Sequence, residues 1–196
     1  MFPYQLTKHW LLGEFLLFVM ISPPRTIRNV SLIGFMGVGK SSTGHLLAES
    51  LGFEFVDTDL MIEQRVGKTI TEIFAQYGEP AFRDLERQVG VLLEERSRIV
   101  ISTGGGFGSN PENLARLKTH SLVVCLWASP ETIFERIRHQ THRPLLRDAD
   151  PLSRIRSLLS AREAAYRQAD VLVNTESRSS REVAQQIAHH FQAALR

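Results

Sequence analysis

The chain has 196 residues, 43% of them hydrophobic, with 23 basic and 21 acidic side chains. That length and apolar content support one domain with a sizeable core. A formal net charge of +2 without a long basic run leaves no footprint for nucleic acid or an anionic membrane surface.

In chain order, the first feature is HWLLGEFLLFVMISPPR, an apolar run interrupted by Glu14. It falls short of the roughly 20 apolar residues that a spanning helix needs. It also lacks the basic leader and small-residue cleavage site of an export signal. Residues 1–28 are expected to be an extension outside the folded domain, with Met20 as the true start; a short interfacial or packing helix is the alternative. Residues 29–196 are expected to form the domain.

From Val30 onward, short apolar runs alternate with helix-period segments, the pattern of βα units around a parallel sheet. Strands are expected at Val30–Gly34, Glu54–Val56, Ile99–Ser102, Leu122–Trp127 and Val171–Val173. Cys125 lies inside the fourth, in SLVVCLWA, without a disulfide partner, so buried packing in a reducing compartment is its expected role. A helix should run from near Gly39 to a terminating Gly52. NPENLARLK and SPETIFERI each place a capping Asn or Ser before a first-turn proline. Longer helices are expected from Pro80 to about Arg96 and from Pro151 to Gln168, and SREVAQQIAHHFQAAL closes the chain as an amphipathic helix. The polar, arginine-rich stretch Gln140–Asp150 reads as a surface loop able to move, a lid over about 139–150.

Gly34 to Ser41, GFMGVGKS, matches G-x-x-x-x-G-K-[ST] between a strand and a helix, as that motif requires. The glycines let backbone N–H groups turn toward phosphate, and the helix N-terminus adds partial positive charge. Lys40 is expected to reach the β- and γ-phosphates and Ser41 to ligate Mg²⁺. Average composition produces such a match by chance in roughly one chain in a hundred or fewer. A nucleoside triphosphate site is therefore expected, and use of cytosolic nucleotide argues for a cytoplasmic protein. No N-K-x-D guanine motif and no L-S-G-G-Q signature is present, so size and the arginine-rich loop favour a small metabolite or nucleotide kinase.

FVDTD ends the second expected strand with Asp57 and Asp59, which strand periodicity would set on one face. Ligands of doubly wound sheets bind at that edge. One carboxylate could support Mg²⁺ through water, and the other could orient or deprotonate a substrate hydroxyl. GEPAFRDLE puts Arg83 and Glu86 at i, i+3 on one helix face. STGGGFG ends the third strand with Gly104, Gly105 and Gly106, allowing close approach of a ligand to the backbone. The aspartate that phosphate-loop enzymes usually carry near this point is missing, so Asp57 is expected to take its duty. Arg143, in the lid, suits an arginine closing over the γ-phosphate. Arg83 and Arg162 together suggest an anionic acceptor, most simply a carboxylate.

Taken in order, GFMGVGKSSTG, FVDTD, GKTITEIFAQYGEPAFRDLE, TGGG, RPLL and AREAAY resemble the shikimate kinase family from Asn29 to about Val183. The resemblance implies an α/β three-layer P-loop kinase fold, with a five-stranded parallel sheet flanked by helices, a lid and a helical substrate-binding region. It implies transfer of the ATP γ-phosphate to the 3-hydroxyl of shikimate in chorismate and aromatic amino acid biosynthesis. By the same resemblance, Gly37, Val38, Gly39, Lys40, Ser41 and Ser42 hold the phosphates, and Ser41 ligates Mg²⁺ with Asp57 assisting. Asp59, Arg83, Gly104, Gly105, Gly106 and Arg162 bind shikimate, with Asp59 as the catalytic base and Glu86 positioning Arg83. Arg143 touches ATP from the lid, and Arg136 and Arg178 pack around adenine. Two departures stand out: the family usually has an aliphatic residue near Gly108, and threonine more often than Ser42. A gluconate kinase would share the phosphate loop without needing the FR..E, TGGG and AREAAY set together. A monomer acting on small molecules, without nucleic acid or membrane partners, is expected.

Overall fold

A computed structural model describes residues 25–139 and 150–196. Its five strands are β1 (Asn29–Ile33), β2 (Glu54–Asp57), β3 (Ile99–Ser102), β4 (Ser121–Trp127) and β5 (Val171–Asn174). All neighbours pair in parallel, in the order β2-β3-β1-β4-β5. Among the described residues the helices are α1 (Lys40–Leu51), α2 (Thr58–Val66), α3 (Ile70–Glu94), α4 (Pro111–His120), α5 (Pro130–Ile137), α6 (Pro151–Tyr166) and α7 (Ser180–Ala194). None is long and apolar enough to cross a membrane.

The layers follow from strand periodicity on a sheet covered on both faces. In β4, Leu122, Val124 and Leu126 join one core with Leu47 of α1 and Ile187 and Phe191 of α7. The intervening Val123 and Cys125 join the opposite core, with Leu93 of α3 and Leu114 and Leu117 of α4. Cys125 is buried there, and burial pushes its thiol up to about 12, so it packs rather than reacts. β1 sits centrally with all five residues buried. The helix after β1 lies on one face and the helix after β3 on the other, so these adjacent strands form the switch point where doubly wound sheets open a crevice.

The expected strands all form, and β2 runs one residue further, to Asp57. The expected caps form as well: Asn110 accepts from the Glu112 and Asn113 amides, and Ser129 from Thr132. Two regions differ. Asp59 lies in the first turn of α2 rather than on a strand, because the Asp57 side chain caps that helix by accepting from the Asp59 and Leu60 amides. α3 joins two helices: one that the sequence reading did not place, opened at Ile70 by a capping box of Thr69 and Glu72, and the expected one from Pro80. Gly78, with φ 76° and ψ 176°, breaks it internally, and Pro80 enters the first turn beyond that break, where its missing N–H costs nothing. Gly108 has a reason to be glycine here: an added Cβ would lie 2.7 Å from the Cβ of Ile33.

Candidate active site

The phosphate loop leaves β1 at Gly34, whose φ of 132° places its α-carbon against the Leu126 carbonyl; an added Cβ would sit 2.2 Å from that oxygen. Gly39 (φ 97°) occupies the N-cap of α1 and supplies no side-chain cap. The first amides of α1 are left to an anion, beside the positive end of the helix dipole. Lys40 is largely buried, and its Nζ donates to the carbonyls of Gly34 and Phe35, both at 2.9 Å. The side chain of Val38 is buried in the core, so only its backbone can face phosphate.

Two adjoining cavities open from this loop, and both are lined by Gly37, Gly39, Ser42 and Arg136. One, of about 360 Å³, lies between the loop and the start of α7 and is also lined by Thr175 and Arg178. Arg136 is held at its rim by donating to the Thr175 hydroxyl (3.0 Å) and carbonyl (2.5 Å). Arg178 donates to the Gln186 side chain. The other cavity, of about 340 Å³, brings Lys40 and Ser41 together with Asp57, Asp59, Gly104 and Gly105. Arg143 and the lid interior lie outside the described residues.

Asp57 links the two sides of the crevice. Its Oδ1 caps α2 and its Oδ2 accepts from the Ser41 hydroxyl at 3.4 Å. Ser41 Oγ is also 3.3 Å from Ser102 Oγ. This set fits Mg²⁺, a hard cation that takes oxygen ligands and keeps several waters and phosphate oxygens rather than entering an all-protein cage. Among the described residues no group of three or more His, Cys, Asp or Glu could form such a cage.

Asp59 stands in the second cavity with its Oδ1 buried and without a hydrogen-bond partner among the described residues. Burial, and then the negative charges of Asp57 and Glu86, raise its pKa to about 6, against the pull of Lys40. A carboxylate tuned toward neutrality is suited to accept a proton near physiological pH. Its carboxyl group lies directly over Gly104, where an added Cβ would be 2.3 Å from Oδ1.

The glycine run is the floor on which these groups meet. The Gly104 amide donates to Thr58 Oγ1 at 2.9 Å, and the Thr103 hydroxyl donates to the Leu32 carbonyl at 3.0 Å. Gly105 faces the phosphate loop, where an added Cβ would be 3.4 Å from the Met36 nitrogen. Gly106 faces Arg83, with an added Cβ 2.5 Å from Nη1. Arg83 pairs with fully buried Glu86 (Nη1 to Oε2, 2.7 Å) and with Glu79 (Nη2 to Oε1, 2.7 Å). Burial raises the Glu86 pKa, although the Arg83 guanidinium opposes the shift. Arg162 reaches the same floor from α6, donating to the Gly105 carbonyl at 2.9 Å while its guanidinium lies 5.4 Å from the centre of the Phe35 ring.

The structure thus gathers Gly37 to Ser42, Asp57, Asp59, Arg83, Gly104 to Gly106 and Arg162 around one crevice, with Arg136 lining both of its cavities and Arg178 at the far end. Sequence reasoning missed Ser102, Thr58, Thr175 and Tyr166. Ser102 was legible as a polar residue ending an apolar strand, and parallel register sets it opposite Asp57. Tyr166 follows Arg162 by one helical turn in AREAAY.

A family model described as "Shikimate kinase" matches residues 36–192. The shikimate kinase of Thermodesulfovibrio yellowstonii is 45% identical over 166 residues, covering 85% of this chain and 96% of that protein. Among solved structures, the shikimate kinase from Acinetobacter baumannii in complex with shikimate superposes with a TM-score of 0.81 at 37% identity, covering 87% of this chain and 96% of that one. A gluconokinase from Sinorhizobium meliloti, at 18% identity and a TM-score of 0.59 over 87% of this chain and 95% of that one, shares the fold alone.

Proposed function

The chain belongs to the shikimate kinase family, and we infer from that premise that it is an ATP-dependent kinase of the shikimate 3-hydroxyl. Its product is 3-phosphoshikimate, on the route to chorismate and the aromatic amino acids. The observation that carries the reading is the 340 Å³ cavity that holds Lys40 of the phosphate loop and the near-neutral carboxylate of Asp59 together. Two arginines, Arg83 and Arg162, stand across the glycine floor from it.

In this reading the amides of Gly37 to Ser42 and the Lys40 ammonium bind the ATP phosphates, and Arg136 and Arg178 flank the adenine in the 360 Å³ cavity. Ser41 and Asp57 hold Mg²⁺, with Ser102 beside them. Bound there, the ion would neutralise charge on the phosphate oxygens. The acceptor's carboxylate pairs with Arg83 and Arg162 through charge-assisted bonds, which orients the ring and turns one hydroxyl toward Asp59. The hydroxyl oxygen bonds to the γ-phosphorus as the bond to the β-bridging oxygen breaks and ADP leaves. The hydroxyl proton passes to Asp59. Because phosphoryl transfer goes through a loose transition state, alignment and charge stabilisation contribute more than proton removal. Arg143 takes the lid role over the γ-phosphate. The enzyme acts as a cytoplasmic monomer.

A coupled ADP-release assay with ATP and Mg²⁺, run in parallel on shikimate, gluconate and AMP, tests the reading. Turnover with shikimate alone is expected. Turnover with gluconate or AMP instead, or with none of the three, would overturn it.

A further inference from the structure

The motif AREAAY contributes more than its arginine. Tyr166 ends α6, one turn after Arg162, with its ring in the core that also holds Ile33, Val123, Cys125 and Phe107. Its hydroxyl donates at 2.8 Å to the carbonyl of Gly105, a residue that lines the second cavity. That carbonyl also accepts from Arg162 Nη1 at 2.9 Å. The other bonds along the floor run elsewhere: Thr103 to β1, Gly104 to Thr58, and Ser109 Oγ to the Gly106 carbonyl.

We propose that Tyr166 is a positioning residue for the acceptor: by sharing the Gly105 carbonyl it fixes the glycine floor and leaves Arg162 free to turn toward the acceptor's carboxylate. The inference rests on the kinase reading above and assigns a further residue to the same site. The two donors differ in stiffness. The Tyr166 ring is wedged in close-packed core and cannot swing, whereas the Arg162 guanidinium ends a long side chain. When a carboxylate competes for Arg162, a Gly105 carbonyl with no second donor would lose its partner in a partly buried place, and that cost opposes binding. With Tyr166 present the carbonyl stays satisfied. Burial pushes the Tyr166 hydroxyl up to about 12, so it remains a donor throughout the assay range.

The test compares wild type, Tyr166→Phe, Arg162→Lys and the double variant by steady-state kinetics and thermal melting. Tyr166→Phe keeps the ring and removes one oxygen, so the core survives. Its shikimate KM should rise about three- to tenfold, the range of one hydrogen bond, with kcat and the ATP KM essentially unchanged. The double variant should lose less than the product of the two single effects, because both residues act on one carbonyl. A purely structural tyrosine would lower Tm and leave the shikimate KM where it was, and that result overturns the inference. So does an equal rise in the ATP KM, or singles that multiply. A wild-type enzyme that turns over shikimate while Tyr166→Phe keeps its KM sinks this inference alone. A wild type that does not turn over shikimate sinks the kinase reading and this inference with it.

Discussion

Replacing Gly104 by alanine tests whether the site depends on the fit between the glycine floor and Asp59. The new methyl carbon would stand 2.3 Å from Asp59 Oδ1, 3.1 Å from Cγ and 3.2 Å from Oδ2. A carbon–oxygen contact closes to no less than about 3.3 Å, so the carboxylate must retreat by about 1 Å. A misplacement of that size costs on the order of 100-fold in rate, or about 2.7 kcal/mol of transition-state stabilisation. The phosphate loop is untouched, so ADP affinity should hold within about twofold, since nothing Gly104→Ala alters contacts nucleotide. The neighbouring glycines give internal controls. Gly105→Ala meets no protein atom closer than the Met36 nitrogen at 3.4 Å, so any loss there reads the room the ligands need in the cavity rather than the position of Asp59. Gly106→Ala meets Arg83 Nη1 at 2.5 Å and should act mainly on the shikimate KM. Coupled ADP-release kinetics, with calorimetric titration of ADP, read all three. A Gly104→Ala enzyme with wild-type kcat/KM would refute the reasoning.

With Asp59 at about 6 and required as carboxylate, kcat/KM for shikimate should climb with pH and level off above that value; a profile flat through pH 5 contradicts this. The raised pKa means the protonated form is favoured by folding, so the stabilisation Asp59 lends is full below its unfolded value and lost as pH rises through about 6. Asp59→Asn should therefore lower kcat by about 10²- to 10⁴-fold yet melt higher than wild type at pH 7.5, and an equal or lower Tm would show the carboxylate unstrained. Arg83→Ala should raise the shikimate KM about 10- to 100-fold, the worth of a bond between charged groups, with the ATP KM unchanged; normal shikimate binding would remove Arg83 from the carboxylate site. Arg143→Ala should lower kcat by about 10²-fold or more, on the order of 3 kcal/mol, with Tm unchanged, and an unaltered kcat would exclude Arg143 from the chemistry.

The fold class, the strand positions, the helix caps and the phosphate loop were legible in the sequence because each is a local device. Gly39 and the caps Asn110 and Ser129 act on backbone groups within a few residues of themselves, so their meaning survives without any knowledge of the rest of the chain. Asp57 and Asp59 were legible as a pair, but the geometry behind the pairing was not. They converge because Asp57 caps the helix that carries Asp59, and a strand alternation would have placed them by a different rule. Gly78 and Pro80 read correctly as a boundary, since non-helical Gly78 separates two helices within α3; the helix from Ile70 up to that break was not placed from the sequence.

What only the tertiary structure decided is which distant groups share an atom. Ser102 joins Ser41 and Asp57 because parallel register sets it opposite Asp57 on one side and Leu32 of β1 on the other. Arg162 and Tyr166 meet at the Gly105 carbonyl across 57 and 61 residues of chain. Motif residues name the chemistry because a phosphate or a carboxylate is recognised by residue type. The distances that tune it, such as the burial that lifts Asp59 and the shared carbonyl beneath Arg162, arise only when separate elements pack against one sheet edge.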